Sequence, residues 1–188
     1  MHSLAGDTMH GSIFVFLKRF VEYRHNYNTW VNILEEVGLG NRVPYQMNEV
    51  YPIKELFTIM SAAARSQGLP DAVFQENFGE FLVPDLLLVF KRFIDPSWKT
   101  QEMLLHVGSH MHRGIKKEND AANPPPLHVS RVGRNMLILD YHSRRRMAGF
   151  AIGIIKGLAQ YFDEREKVSV LPATEPDAER VQIRVQFH

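Results

Sequence analysis

Residues 123–145 read NPPPLHVSRVGRNMLILDYHSRR, and the fold turns on how this stretch is parsed. Pro124, Pro125 and Pro126 remove successive amide donors and hold the backbone extended, so no helix crosses this point. Beyond them the pattern has period two. Leu127, Val129 and Arg131 alternate, Gly133-Arg134-Asn135 supplies a turn, and residues 136–141 return, which predicts an antiparallel hairpin. Tyr141-His142-Ser143-Arg144-Arg145 then hands the strand to a helix expected over about residues 144–163, and two further strands are expected at 167–171 and 180–187.

Upstream of the prolines the apolar spacing is helical. Ile13, Phe14, Leu17, Phe20 and Val21 predict an amphipathic helix over residues 9–24, and a second follows over 29–37, with Gly38 and Gly40 as stop signals. Residues 45–51 read as a loop. Pro52 opens a helix with Leu56, Ile59, Met60 and Ala63 on one face, ended by Gly68. Pro70 starts another through Phe74 and Phe78, and Pro84 marks a break or restart before Leu86, Leu87 and Phe90. Asp95-Pro96 is a turn before a last helix at about 97–117. The class expected is α+β: a helical N-terminal half, then a small antiparallel sheet with one inserted helix.

Composition narrows the function. The 188 residues suit one domain large enough to enclose a bulky ligand, with 45% hydrophobic and 23% charged residues. The net charge of +1 argues for neither a nucleic-acid nor an anionic membrane partner. The absence of cysteine removes disulfides, thiolate metal sites and thiol nucleophiles, and suits a reducing cytoplasm. The longest apolar run, residues 147–158, contains Lys156 and is too short to span a bilayer. Residues 1–8 have neither a basic nor a hydrophobic segment, so they are not read as a secretory signal.

Two elements carry candidate chemistry. On the helix expected at 97–117, Leu104, Gly108, Met111 and Ile115 form one stripe, and His112 borders it beside Gly108 and Ser109. His112 can therefore look into a core with room for a flat group, and a neutral imidazole in that setting is a common haem iron ligand. A single histidine beside an apolar stripe is more often a core or boundary residue. Glu102, His106 and His110 share the other side at four-residue spacing; they could hold zinc, or form a solvated polar face. At the second element Tyr141 and Ser143 point the same way along the extended chain, and Ser143 suits a helix N-cap. With Arg145 they would suit a carboxylate, such as a haem propionate, and otherwise belong to a basic surface patch of Arg144, Arg145 and Arg146.

Taken together these elements resemble the haem nitric-oxide/oxygen-binding family, called H-NOX or HNOB, which includes the sensor domain of soluble guanylate cyclase. Tyr141, Ser143 and Arg145 fit its tyrosine-x-serine-x-arginine signature. His112 stands at the place of its axial histidine, and Pro124 and Pro125 fall in its proline segment, which presses on the haem. Met9-His10-Gly11 matches its usual beginning, and Phe78-Gly79-Glu80 looks like its glycine-containing middle segment. The resemblance implies a haem NO-binding domain over residues 9–188, with residues 1–8 as an N-terminal extension. It implies haem b (iron protoporphyrin IX) as cofactor, His112 as metal ligand, and Tyr141, Ser143, Arg145 and Pro125 against the haem.

The same resemblance places Ile13, Leu17, Leu82, Leu86 and Ile154 on the distal side, all apolar. Several oxygen-binding relatives carry a distal tyrosine nine residues after the signature tyrosine; here that position is Phe150. Dioxygen as a ligand gains much from a distal hydrogen bond, whereas NO and CO need one less, so the expectation is an NO and CO sensor that excludes oxygen. Its output would follow release of the His112 helix, shifting the helical half against the sheet half, and would be read by a separate histidine kinase or cyclic-di-nucleotide enzyme. Two other classes stay open: a haem-free module for a small ligand on the same fold, and a metal-dependent enzyme built on Glu102, His106 and His110.

Overall fold

Among the described residues the first regular element is a strand rather than the helix expected from residue 9. In the computed structural model, which describes residues 8–106, 127–142, 146–175 and 178–188, β1 (Thr8–His10) pairs antiparallel with β2 (Val50–Pro52), Met9 opposite Tyr51. Both strands fall where a helix start and a loop are expected, because the pairing partner of each lies far off in sequence. His10 ends β1 and caps α1 (Gly11–Arg24): the Ser12 amide donates to its Nδ1 at 3.4 Å. Burial pulls the His10 ring below the ordinary histidine value, which keeps it neutral and able to accept.

α1 buries Phe14, Phe16, Leu17, Phe20 and Val21, and Ile13 is half-buried. α2 (Tyr27–Glu36) starts two residues earlier than expected because Asn26 Oδ1 accepts from the Thr29 amide at 3.0 Å. It ends as expected at Gly38, whose φ of +74° lets the Leu39 amide reach back to the Leu34 carbonyl at 2.7 Å. α3 (Ile53–Ser66) buries the anticipated face of Leu56, Ile59, Met60 and Ala63. The loop between α2 and β2 is held by polar contacts on an aromatic cluster. Tyr45 stacks on Phe14 at 4.4 Å and donates to Glu55 Oε2 at 2.9 Å, while the Arg42 guanidinium covers Tyr45 and Tyr51 at 4.9 and 5.0 Å.

α4 (Asp71–Val89) runs unbroken through Pro84, where a break is expected. Phe74, Phe78 and Leu82 are fully buried and Val83 is 1% exposed. Burying each of these contributes about 1.5–3 kcal/mol, which together outweighs the roughly 3 kcal/mol cost of one internal proline. The described residues up to Phe74 form one compact unit, and those from Gln75 onward form a second.

In the second unit, α5 (Thr100–His106) is the described part of the helix expected at 97–117. The hairpin is present as β3 (Leu127–Val132) and β4 (Met136–His142), with Val132 opposite Met136 and Gly133 at φ +66° in the turn. With β5 (Val168–Pro172) and β6 (Arg180–Phe187) it makes an antiparallel sheet in the order β3-β4-β6-β5. One face buries Leu137, Leu139, Tyr141, Val181, Ile183 and Val185, and β5 packs on α6 (Ala148–Tyr161). α6 starts later than the expected residue 144. Arg146 has φ +50°, a left-handed backbone no helix can include, so the helix begins beyond it. The class is the α+β one expected, with six helices and two antiparallel sheets among the described residues. None of these helices is long and apolar enough to cross a membrane.

Candidate functional site

Tyr141 stands near the end of β4, opposite Leu127 on one side and Val181 on the other. The strand's alternation turns it to the same face as Leu137 and Leu139, and it is 5% exposed. A phenol so deeply placed is an amphipathic group: its ring joins the apolar core while its hydroxyl keeps a polar function inside. Ser143 and Arg145, the other members of the signature, lie outside the described residues, as do His112 and Pro125 and the neighbours Gly108, Ser109, His110, Met111, Ile115 and Pro124.

The apolar candidates of the second unit lie on two helices that touch. Leu82 and Leu86 are one turn apart on α4, and Phe150 and Ile154 are one turn apart on α6. The contact between the helices is made of glycine. A Cβ on Gly79 would press on the Phe150 carbonyl oxygen and stand 3.0 Å from the Ile154 amide nitrogen. One on Gly153 would press on the Glu76 carbonyl oxygen, and one on Gly157 would lie 2.6 Å from Val83 Cγ2. Backbone thus meets backbone, and the crossing fixes where Phe150 and Ile154 sit. Phe78 and Phe150 face each other at 5.3 Å with a 44° tilt, and Lys156 Nζ donates to Glu76 Oε1 at 2.6 Å beside the crossing. The middle-segment glycine named from the sequence is therefore a packing residue, and its partners Gly153 and Gly157 went unremarked there.

Leu82 is fully buried, whereas Leu86, Phe150 and Ile154 keep part of their surface open. None of the four side chains carries a hydrogen-bond donor. Part-open apolar side chains on α4 and α6, and a buried phenol on β4, are chemically suited to an apolar group with a polar edge. In the first unit Leu17 is fully buried on α1 and Ile13 is half-buried.

The zinc alternative finds its two described members engaged elsewhere. Glu102 Oε2 accepts from the Lys99 amide at 3.2 Å, and the His106 ring stacks on Trp98 at 4.5 Å with planes 14° apart. His110 lies outside the described residues, and among those described no three His, Asp or Glu side chains are grouped to hold a metal ion. Glu164 was missed by sequence reasoning. Its Oε2 accepts from the Thr100 amide at 3.1 Å, across a separation of 64 residues that no local pattern signals.

Comparison with known proteins adds the family. The chain matches the haem-NO-binding model, HNOB, over residues 10–170. Among solved structures it is similar to an H-NOX protein from S. oneidensis in the Fe(II)NO ligation state, with a TM-score of 0.87 at 24% identity, covering 96% of this chain and 99% of that one. It is also similar to a mutant Fe(II) unliganded H-NOX protein from K. algicida (TM-score 0.83, 18% identity, 96% and 97% covered). A third is a mutant of the H-NOX protein from T. tengcongensis (TM-score 0.80, 19% identity, 95% and 97% covered). No curated protein matches the sequence. With most of its length matched by the family model and its fold shared with these proteins, the chain belongs to the haem-NO-binding (H-NOX) family of gas-sensing domains.

Proposed function

We propose that this chain is a sensor of NO and CO that uses haem b and excludes oxygen. Its family consists of haem-based sensor domains rather than enzymes. Haem, when bound, supplies a ferrous iron with a coordination position for a diatomic ligand. The single observation that carries the selectivity is Phe150: half-buried on α6 against Phe78, it places a ring without a hydroxyl at the position where oxygen-binding relatives resembling this chain have a tyrosine. Leu82, Leu86 and Ile154 add no donor, and Ile13 and Leu17 join them by resemblance. Oxygen as a ligand is then left without the hydrogen bond it needs most.

In this reading His112 would hold the iron, Pro125 would lie against the haem, and Tyr141, Ser143 and Arg145 would hold its propionates. The buried position of Tyr141 supports the last assignment, because a buried carboxylate needs hydrogen-bond donors around it. The signal would pass by release of His112 to a separate partner in the cytoplasm, a histidine kinase or a cyclic-di-nucleotide enzyme. Replacing His112 by glycine tests the ligand assignment: the spectrum of the ferrous protein should lose its iron–histidine signature and regain it with free imidazole. If substitution of His106 has that effect and His112→Gly does not, the assignment is wrong.

A further inference from the structure

We propose that the segment from Trp98 to His106 is a fixed anchor for the chain leading to His112, and that Glu164 is the positioning residue that holds it. The proposal deepens the haem-sensor reading and rests on it for the role of His112. All the residues concerned belong to the second unit.

The anchor begins with how α6 stops. Asp163 adopts a left-handed φ of +57°, and the Glu164 amide donates to the Ala159 carbonyl at 2.6 Å, so the backbone of Glu164 is set by the helix end. Its carboxylate then accepts from the Thr100 amide at 3.1 Å. Thr100 is the first residue of α5 and fully buried. A carboxylate at that place satisfies an amide that the helix itself leaves without a partner and suits the positive end of the helix. Three further contacts hold the same few residues. Gln101 Nε2 donates to the Arg134 carbonyl in the β3–β4 turn at 3.4 Å, the Trp98 ring lies stacked on His106, and Met103 and Leu104 are 2% and 3% exposed. The start of α5 is thus tied to α6, to the hairpin and to the core.

Tied in this way, the segment is held against movement. With haem bound, an anchor at this place would resist any pull exerted through His112, which the family resemblance makes the iron ligand. The anchor therefore favours release of the histidine. Loosening it would favour retention of His112 on the iron.

Glu164→Ala tests both halves, with Glu164→Gln as the rescue because its amide oxygen still accepts. In the ferrous protein without NO, hydrogen exchange at the amides of residues 100–106 should be about tenfold faster in E164A and largely restored in E164Q. Under NO, the Soret band of E164A should shift toward the histidine-retained position relative to the unsubstituted protein, and E164Q should return it. Unchanged exchange in E164A would overturn the anchor. Faster exchange with an unchanged Soret position would overturn the positioning role and leave Glu164 a structural cap. If E164A loses its circular dichroism, W98L carries the same two measurements. A protein that takes up no haem would sink the sensor reading and with it the role in histidine release, while exchange measured on the haem-free protein still decides the anchor itself.

Discussion

In the proposed reading a single oxygen atom separates Phe150 from a side chain that would change the ligand preference. Phe150 lies half-buried on α6 with its ring facing Phe78, and the family resemblance assigns it to the distal side. Phe150→Tyr should therefore create a distal donor and raise oxygen affinity by about tenfold or more, the value of a hydrogen bond to a partly charged acceptor. The check is the spectrum of the reduced protein in air; no change in oxygen affinity would mean that this position does not face the ligand. The burial of Tyr141 was legible because strict alternation in residues 136–141 puts it on the buried face. Glu164 was not legible, since nothing in its neighbourhood in sequence refers to Thr100.

At the scale of elements, the crossing of α4 and α6 is set by backbone contact, and the cost of disturbing it can be stated. Gly153→Ala would drive a methyl into the Glu76 carbonyl, where neither backbone can easily give way. It should cost about 1–3 kcal/mol and lower Tm by about 3–10 °C, measured by thermal unfolding. Removing the α2 cap by Asn26→Ala should cost about 1 kcal/mol and leave ligand binding unchanged, checked by denaturant titration beside a CO titration. The hairpin and most helices were legible because each is specified by its own periodicity. The misses have nonlocal causes: β1 and β2 exist only through each other, and α4 passes Pro84 because tertiary burial overrides a local penalty. The late start of α6 follows from one left-handed residue, Arg146, that side-chain spacing does not report.

For the molecule as a whole, pH and ligand give two separate handles. Tyr45 is held above the ordinary phenol value, first by burial, then by its hydrogen bond to Glu55 and that carboxylate's charge. The folded protein thus binds this proton more tightly than the unfolded chain. The resulting stability is complete below about pH 10 and is lost as pH rises through the folded value. Tyr45→Phe should abolish that alkaline loss and cost about 1 kcal/mol at neutral pH, read from unfolding curves on both sides of pH 10.

An absorption spectrum tests directly whether this H-NOX domain senses NO and CO and excludes oxygen, as proposed. Protein expressed with haem supplied, reduced, and exposed in turn to NO, CO and air should give NO and CO complexes and no stable oxygen complex. A persistent oxygen-bound spectrum, or a colourless protein, would contradict the account.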